Sequence, residues 1–177
     1  MKLIILDRDG VINEESDEFI KGPEEWRPIP GSIEAVALLS QSGWRVVVAS
    51  NQSGIARGLL DMAALNAIHA RMHKAVNHAG GRIEAVFFCP EGPESGSSMR
   101  KPEPGMFLAI GERFNVSLEN APAVGDRPGD LLAAAAAGAQ PVLVLTGKGE
   151  QTRAAGGLPE GTLIYPDLAA VAQALCG

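Results

Sequence analysis

The sequence predicts an α/β fold in which a doubly wound (Rossmann-like) parallel sheet is flanked by helices. Short apolar runs rich in β-branched residues alternate along the chain with longer segments of helical period, which is typical of this class. The 177 residues, 46% of them hydrophobic, can bury one sizeable core. Each interval between predicted strands has room for little more than one helix and a loop. We therefore predict a single domain over residues 1–177, with no inserted domain.

Six segments are predicted to form the strands of the sheet. Each is short, apolar and bounded by turn residues, as expected for parallel strands that are buried on both faces. They cover residues 2–6, 44–49, 83–88, 121–125, 141–145 and 162–165.

Capping and stop signals predict five helices between and after these strands. Ser32, Asp61 and Asp167 are placed to act as N-caps. Pro104 and Pro128 suit a first helical turn, where a missing N–H costs nothing. The predicted helices cover residues 32–42, 61–79, 104–115, 128–138 and 167–175.

The charge balance and the cysteine count exclude several classes of protein. Lys and Arg total 15 against 21 Asp and Glu, so the formal net charge is −6, which argues against electrostatic binding of nucleic acid. The two cysteines are too few and too far apart for a disulfide framework, and no apolar run is long enough to span a membrane. We expect a cytoplasmic monomer with no nucleic-acid or membrane partner.

The first predicted strand leads directly into Asp7-Arg8-Asp9-Gly10. In open parallel sheets, ligands bind beyond the carboxyl ends of the strands. An aspartate at such a place is a nucleophile that needs no activating base, because it is ionised well below neutral pH. If the target is a phosphoryl group, charge repulsion requires a cation, normally Mg²⁺. The alternative interpretation of this segment is a solvated turn.

Polar residues also follow the second strand and the second long loop. The run from Ser50 to Gly58 places hydroxyls and amides beside glycines, an arrangement suited to holding phosphate oxygens. Arg100 and Lys101 offer a bidentate fork and a point charge for the same purpose. A polar turn and an ordinary surface pair are the corresponding structural interpretations.

The fourth predicted strand ends at Gly125 and is followed by Asp126, which is placed like Asp7 and could share a metal ion with it. Asp130 comes four residues later, near a helix start, where a carboxylate favours the helix dipole or supports its neighbours. We assign Asp130 the structural role.

The order of these four segments resembles motifs I to IV of the haloacid dehalogenase-type phosphatase superfamily. The nine residues from Ser50 to Gly58, with Arg100-Lys101-Pro102, narrow the resemblance to the D,D-heptose 1,7-bisphosphate phosphatase branch, which has histidinol-phosphate phosphatases as relatives. The resemblance runs over nearly the whole chain. It implies a Mg²⁺-dependent phosphatase that removes the C7 phosphate of D-glycero-D-manno-heptose 1,7-bisphosphate, with no inserted cap domain.

The resemblance implies a role for each motif residue. Asp7 would be the nucleophile, and Asp9 would protonate the leaving oxygen and later activate water. Mg²⁺ would be held by the carboxylates of Asp7 and Asp126 and by the backbone carbonyl of Asp9. Ser50 and Lys101 would stabilise the charge of the transferring phosphoryl group.

The residues that the resemblance assigns to substrate binding come from three segments of the chain. Two arginines would contact the substrate, three residues would line its phosphate-side loop, and an acidic stretch would approach the sugar hydroxyls. They are Arg100, Arg127, Asn51, Gln52, Ser53, Glu15, Ser16, Asp17 and Glu18. A solvated acidic loop is the alternative interpretation of the last four.

The sequence departs from the family pattern in its metal loop. Many members carry four zinc ligands before the Arg-Lys pair, whereas only Cys89 stands in that stretch, so we expect no structural Zn²⁺ site. A histidinol-phosphate phosphatase remains an alternative, although Arg100 and Arg127 favour a second anionic group that histidinol phosphate lacks. An alternative from another class is a phospho-accepting receiver domain.

Overall fold

The computed structural model describes residues Met1–Gly177, which form six strands and six α-helices. The strands are β1 (Lys2–Leu6), β2 (Trp44–Asn51), β3 (Ala85–Cys89), β4 (Pro122–Gly125), β5 (Gln140–Val144) and β6 (Leu163–Tyr165). The helices are α1 (Ser32–Gln41), α2 (Met62–His78), α3 (Gly105–Phe114), α4 (Pro128–Ala136), α5 (Gly149–Ala155) and α6 (Leu168–Cys176).

The six strands form one parallel sheet in the order β3-β2-β1-β4-β5-β6. The strand order reverses between β1 and β4, where Ile5 pairs with Ala123 and Leu6 with Val124. Ligands of doubly wound sheets bind in the crevice at this reversal, outside the carboxyl ends of the strands. Receiver domains have the flavodoxin-like order 2-1-3-4-5, so the receiver alternative is wrong.

Both faces of the sheet are covered, so alternate residues of each central strand enter two different cores. On one face, Ile4 and Leu6 pack in a cluster of 24 buried residues beneath α1, α2 and α6. On the other, Leu3 and Ile5 pack in a cluster of 12 beneath α3 and α4. Burial on both sides fixes β1, and with it the position of the residues that follow Leu6.

The predicted α/β class and the five predicted helices are confirmed, with shifts of a few residues at their ends. Asp61 and Asp167 are N-caps, and each side chain accepts a hydrogen bond from the N–H three residues on. Ser32 is not a cap: Gly31 takes that position, and the Ser32 hydroxyl instead donates to the Ile12 carbonyl at 2.5 Å. A tertiary contact thus replaces the local one.

Helix α5 was not predicted from the sequence. It has seven residues, begins at Gly149, and buries only Gly149 and Thr152, so it has no apolar face for a periodic pattern to reveal.

The two long loops each contain a single short helical turn. Between β1 and α1 the only helical turn is a 3₁₀ turn at Pro23–Glu25, and between β3 and α3 there is one at Pro93–Ser95. None of the helices combines the length and the apolar character that crossing a membrane requires.

Candidate active site

Three carboxylates meet at the carboxyl ends of β1 and β4. Asp7 directly follows β1, Asp126 directly follows β4, and Asp130 lies in the first turn of α4. One oxygen of each lies within 4.8 Å of the others, and all three residues are at most 9% exposed. Buried carboxylates repel one another at this separation, so the cluster requires cations.

Lys101 supplies the first positive charge. Its Nζ lies 2.6 Å from Asp130 Oδ1 and 3.1 Å from Asp7 Oδ1, and it donates to the Ala49 carbonyl at 2.8 Å. These three acceptors use all three ammonium donors. Burial alone would lower the pKa of Lys101, but Asp130 and Asp7 raise it above its ordinary value. The ammonium is therefore charged and fixed in one direction.

Asp130 does more than favour the helix dipole. Its Oδ2 accepts the backbone N–H groups of Asp126 and Arg127, both at 3.1 Å, while its Oδ1 pairs with Lys101. The supporting role expected from the sequence is thus directed at the site: Asp130 holds the start of the β4–α4 loop against the lysine.

The residues assigned to metal binding fit a hard divalent cation. The hydrogen bonds of Asp7 fall on Oδ1, and those of Asp130 use both its oxygens. Asp126 Oδ2 accepts the Lys148 N–H at 2.8 Å, but Asp126 Oδ1 is buried with no hydrogen-bond partner. A buried carboxylate oxygen without a hydrogen-bond donor is energetically costly, and coordination to a divalent cation would offset that cost.

Two glycines make room for the Asp126 carboxylate. Gly10 and Gly147 have φ values of +85° and +56°, and a Cβ atom on either would collide with Asp126 Oδ2. Close approach of the backbone from both sides requires residues without side chains. The third residue of this contact, Thr146, donates to the Gly10 carbonyl at 2.7 Å and so ties the two loops together.

Crowding of the carboxylates shifts their proton affinities. Burial, then Asp130, raises the pKa of Asp7 well above its ordinary value, although Lys101 opposes this. Burial and Asp130 likewise raise the pKa of Asp126 to about 7. A divalent cation at these oxygens lowers both pKa values, because it stabilises the ionised forms.

Asp9 lies in a different environment, with one oxygen fixed by donors. Its Oδ1 accepts from Arg8 Nε and Asn13 Nδ2, both at 2.9 Å, and its Oδ2 accepts weakly from Gln52 Nε2 at 3.3 Å. Burial would raise the pKa of Asp9, but Arg8, Asn13 and Gln52 together hold it below the ordinary value. Oδ2 is consequently the oxygen available for chemistry.

A cavity of about 440 Å³ opens beside these carboxylates. This is within the range of small-molecule sites. It is lined by ten of the residues assigned from the sequence, which are Asp7, Asp9, Glu15, Ser16, Asp17, Asn51, Ser53, Arg100, Lys101 and Arg127. Four others are not in its wall, namely Glu18, Ser50, Gln52 and Asp126.

The carboxyl end of β2 and the residue that follows it support the cavity wall. Asn51 donates to the Lys101 carbonyl at 3.0 Å and accepts the Lys101 N–H at 3.1 Å. Ser50 is 1% exposed, and its hydroxyl accepts from Gln52 Nε2 at 2.7 Å. Asn51 therefore positions the lysine, while Ser50 and Gln52 are connected to Asp9.

The acidic segment is paired with cations rather than solvated throughout. Glu15 accepts from Arg127 Nη2 at 2.6 Å and pairs with Lys148 Nζ at 3.1 Å. Lys148 also pairs with Asp17 at 3.0 Å, and its backbone N–H holds Asp126. The segment is thus fixed to the loops that follow β4 and β5.

Sequence reasoning missed Lys148, Thr146 and Gly147. The rule that ligands lie beyond strand ends would have pointed to them, since all three follow β5, the neighbour of β4. It also missed the partner of Arg8, whose Nη1 lies 3.1 Å from Nε2 of His69.

Comparison with known proteins agrees with this geometry. A family model described as HAD-hydrolase-like matches residues 98–171. The D-glycero-beta-D-manno-heptose-1,7-bisphosphate 7-phosphatase of Bordetella bronchiseptica is 58% identical over 175 residues, which cover 99% of this chain and 98% of that protein. The chain belongs to the HAD-like hydrolases, in their heptose-1,7-bisphosphate 7-phosphatase family.

Two solved structures of the family have the same fold. A crystal structure of D,D-heptose 1,7-bisphosphate phosphatase from B. bronchiseptica, complexed with magnesium and phosphate, matches with a TM-score of 0.98 at 58% identity, covering 99% of this chain and 98% of that one. The corresponding enzyme from Burkholderia thailandensis matches with a TM-score of 0.80 at 51% identity, covering the same shares of the two chains.

Proposed function

We propose that this protein is a Mg²⁺-dependent phosphatase that hydrolyses the 7-phosphate of D-glycero-β-D-manno-heptose 1,7-bisphosphate and leaves the 1-phosphate in place. The observation that carries the proposal is the similarity at 58% identity, over nearly all of both chains, to a relative named for this activity. The β configuration is proposed because that relative's name specifies it. The site supports the reaction class independently.

In the first step, an oxygen of Asp7 attacks phosphorus, an O–P bond to Asp7 forms, and the bond between phosphorus and the sugar oxygen breaks. Asp9 gives its proton to that leaving oxygen. Donors hold Asp9 ionised in the free protein, but the negative charge of an arriving phosphate raises its proton affinity. A carboxylic acid is then present where the proton is needed.

In the second step, water attacks the phosphorus of the aspartyl phosphate. Asp9, now ionised, takes the proton from that water, and the bond between phosphorus and the Asp7 oxygen breaks. Inorganic phosphate leaves and Asp7 returns as a carboxylate. One residue therefore serves as acid and then as base.

Charge on the phosphoryl group is stabilised by groups already fixed in place. Lys101 is held by three acceptors, so it need not reorganise during the reaction. Mg²⁺, held by Asp7, Asp126 and the Asp9 carbonyl, neutralises the repulsion between the carboxylate and the phosphate. Ser50 acts with Gln52 to orient Asp9 and the phosphoryl oxygens.

The sugar and its second phosphate occupy the rest of the cavity. Arg100 and Arg127 bind substrate phosphate oxygens, and Asn51, Gln52 and Ser53 form the loop around the transferring phosphate. Glu15 and Ser16 accept or donate hydrogen bonds at the sugar hydroxyls, together with Asp17, whereas Glu18 lies outside the cavity wall. The absence of a cap leaves the cavity open, so specificity depends on such contacts.

The test is phosphate release with Mg²⁺ from both anomers of the bisphosphate and from histidinol phosphate, with Asp7→Asn as the control. We expect the β anomer to be favoured by orders of magnitude, no turnover by Asp7→Asn, and retention of the 1-phosphate by ³¹P NMR. Preference for histidinol phosphate would refute the assigned substrate while keeping the reaction class. Turnover by Asp7→Asn would refute the assigned nucleophile.

A single domain over 1–177, a monomeric state, a cytoplasmic location and the absence of nucleic-acid or membrane partners remain predictions from the sequence.

A further inference from the structure

The cationic side chains that line the cavity differ in the ion pairs and hydrogen bonds that they already make. Lys101 is paired with two carboxylates, and Arg127 is paired with Glu15. Arg100 donates to the Glu91 carbonyl at 3.1 Å. Arg57 also lines the cavity, but its guanidinium makes no ion pair and no hydrogen bond within the protein. It is therefore the guanidinium with its full set of donors available to an anion.

Arg57 is held over an aromatic ring. Its guanidinium carbon lies 5.5 Å from the ring centroid of Phe19, within the range of a cation–π interaction. Phe19 is also the single hydrophobic residue in the cavity wall. A guanidinium stacked on a ring keeps its edge, and thus its N–H groups, free to bind in the plane.

The backbone of Phe19 is strained, which indicates that its position is enforced. Its φ of +67° lies in the left-handed region, which a bulky side chain rarely adopts. The Phe19 N–H donates to the Ser16 carbonyl at 3.1 Å and closes a turn. Its ring packs against Gly54, where a Cβ atom would lie 3.3 Å from the ring and would collide with Leu60.

We infer that Arg57, oriented by Phe19, binds the second phosphate of the substrate, the one that is not transferred. This rests on the proposed function. The transferring phosphate belongs beside Asp7 and Lys101 at the buried end of the cavity, whereas Arg57 is exposed. The cavity wall also contains Glu15 and Asp17, which are paired with Arg127 and Lys148. A phosphate dianion bound there therefore needs a cationic side chain that is not already paired with an acid. A guanidinium edge matches two phosphate oxygens.

Two substrates separate contacts to the second phosphate from contacts to the rest of the substrate: the heptose 1,7-bisphosphate and the same heptose carrying only the 7-phosphate. For Arg57→Gln we expect KM for the bisphosphate to rise about tenfold to a hundredfold, which corresponds to a lost charge-assisted bidentate contact. We expect kcat to change less than about threefold, and KM for the 7-phosphate to stay the same. Arg113→Gln, an exposed arginine on α3, is the matched control.

Phe19→Leu tests the orienting role, because leucine keeps the apolar volume and removes the ring. We expect a rise of about twofold to fivefold in KM for the bisphosphate alone. The Phe19→Leu/Arg57→Gln double variant should be no worse than Arg57→Gln, since the ring acts through the guanidinium. Thermal unfolding of each variant separates this effect from misfolding.

Several outcomes would overturn the inference. One is an unchanged KM for the bisphosphate in Arg57→Gln, and another is an equal rise for both substrates, which would assign Arg57 to the transferring phosphate or to the fold. A wild-type protein that releases phosphate from neither heptose would overturn the proposed function and this inference with it. An active wild type with an unaffected Arg57→Gln would overturn the inference alone.

Discussion

Nη1 of Arg8 lies 3.1 Å from Nε2 of His69, and both side chains are buried beneath the candidate site. A guanidinium can only donate, so Nε2 accepts and the imidazole is neutral, with its proton on Nδ1. The rest of the Arg8 fork faces Asp9. A helix residue 61 positions along the chain thus helps to orient the carboxylate that we propose as acid and base.

This contact predicts an acid-sensitive contribution to stability. Burial, then Arg8, lowers the pKa of His69 to about 4. The unfolded imidazole titrates near ~6.5, so the contribution is complete above that pH and is lost as the pH falls toward 4. We expect wild type to lose about 3 kcal/mol more unfolding free energy over this interval than His69→Gln, which offers an acceptor that does not titrate.

Urea denaturation at several pH values between 7.5 and 4.5 measures this difference. His78→Gln, which changes an exposed histidine on the same helix, is the control and should follow wild type. Parallel losses in wild type and His69→Gln would show that His69 does not titrate in this way.

Metal affinity should depend on pH because the free site holds protons. The pKa of Asp126 is about 7 and that of Asp7 is also raised, so Mg²⁺ must displace protons below neutral pH. We expect affinity to fall at least about fivefold from pH 7 to pH 6, because protonation of Asp126 alone accounts for that much and the raised pKa of Asp7 adds to it. Isothermal titration of Mg²⁺ measures this.

Asp9→Asn serves as the control for metal binding, because the Asp9 carboxylate lies outside the carboxylate cluster. It should retain the pH dependence, and Asp126→Asn should abolish binding. An affinity that is constant from pH 6 to pH 8 would contradict the proposed proton displacement.

Asp130→Asn should weaken catalysis through Lys101. The change removes the charge nearest the ammonium and leaves a buried cation undercompensated. We expect kcat to fall about tenfold to a hundredfold with a smaller change in KM, and unfolding free energy to fall by about 3 kcal/mol. Steady-state kinetics and denaturation measure both, with the exposed Glu112→Gln as the control. If Asp130→Asn has the same kcat as wild type, Asp130 does not support catalysis by positioning Lys101.

Gly10→Ala should impair metal binding through a collision. Gly10 and Gly138 have similar φ values, +85° and +81°, but only at Gly10 would a Cβ atom meet another group, the Asp126 carboxylate. Both variants should lose about 1 kcal/mol to backbone strain. Only Gly10→Ala should also lose Mg²⁺ affinity, by at least about tenfold, in the same titration. Equal affinities in the two variants would refute the close packing of Gly10 on Asp126.

The sequence predicts the centre of the site well, because it follows from one geometric rule. Parallel strands end at one edge, so polar residues directly after β1 and β4 must approach each other, and Asp7 and Asp126 do. The motif also predicts Lys101 as a site residue. It does not predict that the Lys101 ammonium pairs with both Asp7 and Asp130.

What could not be predicted depends on contacts between distant segments. Lys148 joins Glu15 to Asp126 through its side chain and its backbone, and no local pattern encodes either contact. Serine is a favoured N-cap residue, yet the Ser32 hydroxyl donates its hydrogen bond to the Ile12 carbonyl instead. The sequence around Phe19 gives no signal for its left-handed backbone conformation. Nor does any local pattern predict that the Phe19 ring packs against Gly54.

The position of β1 has a consequence for biosynthesis. This strand precedes the other five along the chain, but it lies in the middle of the sheet, and its pairing with β4 requires residues beyond 120. Such long-range pairing slows folding, since a large loop must close before the contact forms. A nascent chain that ends before Asp126 carries Asp7 without its partner carboxylate. Tight Mg²⁺ binding therefore requires that the β4 segment has left the ribosome and paired with β1.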